Sequence, residues 1–205
     1  MNVEQLLNQF DVSRETLQRL EIFEKVIRKW NPKINLVSRT SMNDLWRRHI
    51  IDSIQVYRSA PKADHWLDIG SGGGFPGLIV GIIAADEVPN MTVTLIESDQ
   101  RKSVFLRTAA RECGIKVHVV SERIEKVRPL SVNVLSARAL ADLNTLLGFA
   151  AHHLDKDGIA LFPKGVTWKK ELEDARRHWC FDAEPITSLT EPDAVILKVR
   201  GVARV

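Results

Sequence analysis

The chain has 205 residues and a mass of 23.2 kDa, with 44% hydrophobic and 27% charged residues. That length buries a core without staples, and that composition excludes disorder, collagen and coiled coil. The net charge is +3, and the excess lies in residues 1–64, with 11 Lys/Arg against 8 Asp/Glu, while the other 141 residues are balanced at 18 and 18. A mildly basic segment permits a nucleic-acid partner without demanding one.

The first third reads as helix. Leu6, Leu7 and Phe10 make a short apolar stripe. Ser13 is an N-cap candidate, followed by Leu17, Leu20, Phe23, Ile27 and Trp30 at spacings of three and four. Asn31-Pro32 is expected to end that helix, because the residue before proline disfavours the α region. Ser41-Met42-Asn43-Asp44 reads as a second N-terminal capping signal. Leu45, His49, Ile50 and Ile54 then share one face, and the helix fades before Pro61.

From residue 65 strands and helices alternate. Strand-like runs fall at Trp66–Ile69, Val93–Ile96, Val117–Val120, Val132–Leu135, Ile159–Phe162 and Ala194–Val199. Helix-like stretches fall at Gly77–Ala85, Arg101–Cys113, Asp142–Leu154 and Trp168–His178. This order predicts βαβ units and a parallel, doubly wound sheet. The domain reading is a helical extension over 1–64 packed on a Rossmann-like core over 65–205.

The longest apolar run, Leu78–Ala85, has eight residues, against the ~20 that cross a bilayer. Glu4 and Asp11 near the start, with no apolar stretch, speak against a secretory signal. A cytoplasmic protein without membrane contact is expected. Cys113 and Cys180 form no CxxC pair and are expected to be buried free thiols. The six histidines show no metal-ligand spacing, so no metal is expected. Gly70-Ser71-Gly72 lacks the form of a hydrolase nucleophile turn.

The most informative segment is Asp68-Ile69-Gly70-Ser71-Gly72-Gly73-Gly74-Phe75-Pro76-Gly77, a strand running through a glycine turn into a helix. Glycines let the backbone turn sharply and approach a ligand. Pro76 suits the first helical position, and the free N–H groups there favour a polar or anionic group. Gly72 to Gly77 fits the G-x-G-x-x-G of dinucleotide binders, while Gly70 to Gly74 fits the G-x-G-x-G of S-adenosylmethionine binders. Asp68 tips the choice, since a carboxylate there can hold the ammonium of S-adenosylmethionine and would repel a pyrophosphate. Glu97, ending the next strand, can accept both ribose hydroxyls of either cofactor. A tight strand-to-helix turn without a ligand is the plainer alternative.

Arg48-His49-Ile50-Ile51-Asp52-Ser53-Ile54 resembles the Arg-His-Ile-Leu-Asp-Ser-Leu signature of the bacterial small-subunit ribosomal RNA guanine-N7 methyltransferases, the glucose-inhibited division protein B family. Asn35-Leu36, the Leu67–Gly77 loop with its Phe-Pro-Gly exit, Arg101-Lys102, Phe105-Leu106, Arg123-Ile124-Glu125, Ser136-Ala137-Arg138-Ala139 and Lys164-Gly165 are similar too. The resemblance runs from about residue 20 to residue 199. It implies a class I S-adenosylmethionine-dependent methyltransferase fold, Rossmann-like, with a mostly parallel seven-stranded sheet and a helical N-terminal extension. It implies S-adenosylmethionine as donor and a guanine in the decoding-region loop of 16S rRNA as acceptor, in naked rRNA, an assembly intermediate or the finished small subunit. Cofactor contacts are implied at Gly70 and Phe75, at Ile124 and Glu125 beside the adenine, and at Arg138. With Asp68, Gly72 and Glu97 these make the expected cofactor set. Where the family often has Gly-Arg-Ala-Glu, this chain has Glu122-Arg123-Ile124-Glu125, which puts a bulkier side chain at the adenine. A monomer is expected.

On the substrate side, Arg138, Phe75 and Pro163-Lys164-Gly165 are candidates for holding a base, with Arg138 and Lys164 foremost. Arg47 and Arg48 are candidates for rRNA phosphates, the alternative being an Arg48–Asp52 pair along the helix. Arg101 and Lys102 read as a solvated helix face or a phosphate contact, and Lys169-Lys170 and Arg176-Arg177 as surface charge. His49 reads as a packed, hydrogen-bonded histidine. The competing class is a Rossmann-type dehydrogenase or a non-catalytic cofactor binder.

Overall fold

The structure is a computed structural model that describes residues 7–205. Leu6 of the first apolar stripe and Glu4 lie outside the described residues.

Helix α1 spans Arg14–Ile34, with the Ser13 hydroxyl accepting from Thr16 N at 3.0 Å. It runs past the expected stop, with Pro32 inside its last turn. Asn31 offsets the proline by bonding outward. Its Oδ1 accepts from Leu36 N and Val37 N, and its carbonyl accepts from the left-handed cap Asn35. Ser41 is not the second cap. Ser38 is, its hydroxyl accepting from Ser41 N, and Ser41 is instead buried in the short helix α2, Arg39–Asn43. The chain resumes as a π-helical stretch, Trp46–Ile51, and then α3, Asp52–Arg58. Leu45, His49, Ile50 and Ile54 are buried along it.

The core follows as β1 His65–Ile69, α4 Gly77–Glu87, β2 Thr92–Ile96, α5 Gln100–Glu112, β3 His118–Val120, a single turn at Ile124–Lys126, β4 Val132–Ala137, α6 Leu143–His153, β5 Leu154–Lys164, α7 Trp168–Ala175, β6 Trp179–Thr187 and β7 Val195–Arg204. The seven strands are ordered β3-β2-β1-β4-β5-β7-β6. The sheet is mostly parallel, as the resemblance implied, with β7 running antiparallel between β5 and β6. Strand β6 is the element missed in the sequence. It is an edge strand carrying Asp182, Glu184 and Pro185, so it shows no apolar run. Cys180 lies on it and is exposed, unlike the buried Cys113.

Period-two alternation along β1 divides the interior. Trp66 faces a core built with α1, α4 and α5, while Leu67 and Ile69 face a second core with α6. Phe23 of α1 packs edge-on against Phe75 with ring centroids 5.4 Å apart, so the extension and the glycine loop share one core. Among the described residues no helix is long and apolar enough to cross a membrane.

Candidate functional site

The glycine loop leaves β1 at the carboxyl edge of the sheet, where ligands of open α/β folds bind. Gly70 N and Ser71 N donate to Ile96 O at 2.9 and 3.1 Å, and Gly74 N donates to Ser71 O at 2.7 Å. Gly70, Gly72 and Gly74 have φ of 65°, 49° and 86°, a region that L side chains rarely enter. Pro76 sits at the N-cap of α4, one place before the first helical residue.

Beside the loop lies a cavity of about 590 Å³, within the ~300–1,000 Å³ usual for small-molecule sites. Gly70, Gly72, Glu97, Ile124, Glu125 and Leu140 are on its wall. Glu97 is only 8% exposed, and both its oxygens accept backbone bonds, from Gly72 N and Asp99 N, each at 2.8 Å. A carboxylate offers about four acceptor positions, so two remain for hydroxyls. Ile124 supplies a buried apolar wall, and Glu125 is exposed at the rim. A Cβ on Gly70 would stand 2.6 Å from Leu140 Cδ1, so a larger residue there would displace Leu140 from the cavity wall as well as strain the left-handed backbone. A nucleoside with a charged amino-acid tail fits these surroundings: an apolar face, a carboxylate for diols and a glycine turn that lets the ligand approach the backbone.

Asp68 is placed beneath the loop. Its side chain shares the Trp66 face of β1 and is 0% exposed. Ser136 Oγ donates to its Oδ1 at 2.7 Å and itself accepts from Trp66 Nε1 at 2.9 Å, while Oδ2 has no partner. Burial pushes the Asp68 carboxyl up to about 6, against the hydrogen bonds of Ser136 and Ser71.

A small hollow of about 240 Å³ lies between this cavity and a third one. It shares Gly70, Gly72 and Lys102 with the first and Ser38, Ser41, His49 and Arg138 with the other. Phe75 lines the hollow rather than the larger cavity. Ala139 borders all three spaces and has a left-handed φ of 51°, a strained state that clusters at functional sites.

Around the hollow sits a buried polar cluster. The His49 ring stacks on Phe75 with centroids 4.8 Å apart, and Arg138 lies 5.9 Å from the same ring. Arg138 donates to His49 Nδ1, since arginine has no acceptor, so the histidine proton belongs on Nε2. Burial, then the charges of Arg138 and Arg48, hold the His49 pKa down to about 3. Arg138 Nη1 stands 3.1 Å from Asp52 Oδ2 but is not aligned for a hydrogen bond and has no hydrogen-bond acceptor. Burial pushes the Asp52 carboxyl up, and Arg138 opposes it. Asp52 thus pairs with Arg138, not with Arg48 as the helix spacing had offered. Arg48 stands 3.7 Å from Glu191, and Arg47 donates to Thr190 O at 3.3 Å.

The third cavity, about 580 Å³, is bounded by Arg138, Lys164, Asp52 and the β6–β7 connection with Ser188, Thr190 and Glu191. The Lys164 ammonium is already engaged, donating to Glu171 at 2.7 Å and Ala141 O at 2.9 Å. Lys102 borders the first cavity and the hollow, whereas Arg101, Lys169, Lys170, Arg176 and Arg177 are exposed. Sequence reasoning missed Leu140, Ser188, Thr190 and Glu191, and it gave Asp52 only a local role. The β6–β7 residues follow the unread strand, and nothing in their pattern announces a site.

The family model described as rRNA small subunit methyltransferase G matches residues 16–195. The chain is 63% identical over 198 residues to the "Ribosomal RNA small subunit methyltransferase G" of Ruegeria pomeroyi, covering 97% of each. It is 48% identical over 208 residues to the protein of the same name from Cereibacter sphaeroides, covering 100% of each. Among solved structures it superposes on an SAH-bound methyltransferase of Podospora anserina with TM-score 0.63 at 13% identity, over 92% of this chain and 88% of that one. A ribosomal protein L11 methylase of Lactobacillus delbrueckii gives TM-score 0.59 at 16% identity, over 77% and 78%. Those distant likenesses carry the fold, class I methyltransferase. With the family match spanning most of the chain, this protein belongs to the small-subunit rRNA methyltransferase G family and is an S-adenosylmethionine-dependent methyltransferase.

Proposed function

We propose that this chain transfers a methyl group to N7 of a guanine in the decoding-region loop of 16S rRNA. The observation that carries the reading is three neighbouring spaces that share Ala139 on their walls: a cofactor-sized cavity at Glu97, a narrow hollow at Phe75, and a second cavity at Arg138. The first suits a nucleoside cofactor and the last suits a base taken out of its stack, so the hollow between them is where a methyl would pass. Bound S-adenosylmethionine supplies an electrophilic methyl on a sulfonium. The guanine N7 lone pair attacks in line; the N7–carbon bond forms, the sulfur–carbon bond breaks, and that electron pair stays on sulfur. N7 carries no proton, so no general base is needed, and orientation is the main task.

The chain's own residues supply that orientation. Gly70, Gly72 and Glu97 hold the nucleoside end, and Ile124 and Glu125 flank the adenine. Asp68 faces the loop from below and favours a cationic tail above it. His49, kept neutral, presses Phe75 into place, and Arg138 fixes His49. Lys164 shapes the far wall through Glu171. The substrate is 16S rRNA, naked or within an assembling or finished small subunit, met by a monomer in the cytoplasm. The neighbouring cavities and the basic residues 1–64 support this reading.

The test supplies the protein with methyl-labelled S-adenosylmethionine and small ribosomal subunits, then treats the RNA with borohydride and aniline, which cleave at N7-methylguanine. Label and cleavage at one guanine of the decoding-region loop are expected. Label without cleavage refutes N7 as the acceptor.

A further inference from the structure

A cavity can tell guanine from adenine at N1, where guanine carries a donor and adenine an acceptor. That edge lies across the purine from N7, so a base with N7 at the hollow would turn it to the third cavity. Three carboxylates stand on its wall: Asp52, Glu171 and Glu191. Glu171 is committed, its Oε2 taking bonds from Lys164 Nζ at 2.7 Å and Leu143 N at 3.0 Å. Glu191 is 52% exposed, so water competes for its oxygens. Asp52 differs from both. Its side chain is 15% exposed, its contact with Arg138 is unaligned, and its bond from Thr190 Oγ1 is long, at 3.4 Å. It is a water-poor carboxylate with acceptor positions to spare.

Resting on the function proposed above, we propose that Asp52 accepts the N1–H and N2–H donors of the target guanine, selecting that base and stabilising the charge that N7 methylation creates. The chemistry gives this contact a role in rate as well as choice. As the N7–carbon bond forms, the purine becomes a cation and its N1–H becomes more acidic. The proton stays on N1, but its bond to a carboxylate strengthens, so Asp52 holds the transition state better than the ground state. Arg138 Nη1, 3.1 Å from Asp52 Oδ2, sets a positive charge beside the carboxylate.

The experiment pairs a change in the protein with a change in the base. Small subunits are rebuilt with 1-methylguanosine at the target, which keeps N7 and O6 but removes N1–H. A hydrogen bond to a charged group is worth a factor of roughly 10–100, so the wild-type enzyme should methylate this target slower by about that factor in kcat/KM. Asp52→Asn should slow guanosine by a similar factor, roughly 10–100-fold, yet lose only a few-fold more on 1-methylguanosine. Its cofactor affinity, read by calorimetry, should match wild type. Equal slowing of both nucleosides by Asp52→Asn overturns the inference, because that is what a purely structural role through Arg138 produces. Equal wild-type rates on the two targets overturn it without any variant, which covers a variant that fails to fold. Methylation at an atom other than N7 in the wild type instead defeats the underlying function.

Discussion

Asp68 carries its carboxyl group where water cannot reach it, and pH makes that visible. A folded pKa raised from 3.8 to about 6 means that the folded state binds the proton more tightly than the unfolded chain does. The stability this group contributes is therefore full below about pH 3.8 and is lost as pH rises through about 6. The loss amounts to about 3 kcal/mol, since one pKa unit is about 1.4 kcal/mol. Asp68→Asn cannot titrate there. In urea unfolding, the wild type should lose about 2 kcal/mol more than Asp68→Asn between pH 4 and pH 7. Every other titrating group is common to both proteins, so matching pH profiles would remove Asp68 from the account. The position of this residue before the glycines is plain in the sequence. Its depth is not, because burial of Asp68 depends on Ser136 of β4 and on Gly77, whose added Cβ would stand 2.6 Å from Asp68 Oδ2.

At the scale of elements, the π-helical stretch Trp46–Ile51 turns His49 and Ile50 inward and leaves Arg48 half exposed. Arg47 and Arg48 reach the β6–β7 connection through a backbone carbonyl and a loose ion pair, which are weak restraints at a surface. Both remain available to phosphate. Arg47→Ala with Arg48→Ala should weaken rRNA binding and lower its salt slope by about 0.7–0.9 for each phosphate no longer neutralised, with cofactor affinity unchanged. An unaltered slope in the folded double variant would move the RNA surface elsewhere. The elements around this segment also show what a sequence can display. Six of seven strands announce themselves as apolar runs, the central ones because they are buried within the sheet, and the glycine loop announces itself by conformation. Strand β6 is invisible because it is a half-exposed edge with a proline. The Arg138–Asp52 pair is equally invisible, since it joins residues 86 positions apart that only the closed sheet brings together.

For the described molecule, residues 7–64 and the Rossmann-like core share one interior. Phe23 is fully buried and touches Phe75 of the glycine loop and Phe105 of α5. Phe23→Ala should cost about 3–5 kcal/mol, a large share of the ~5–15 kcal/mol that holds a domain together. It should also weaken cofactor binding, because Phe75 loses its support. Thermal unfolding and calorimetry on the same preparation check both, and a stability loss with intact affinity would uncouple the extension from the loop. The loop itself needs little help to hold its shape. Its amides at Gly70, Ser71, Gly72 and Gly74 are already bonded within the protein. Such a loop arrives at each catalytic round with its ordering entropy spent during folding. Loading a fresh donor and discarding the spent homocysteine product then require no refolding of the grip.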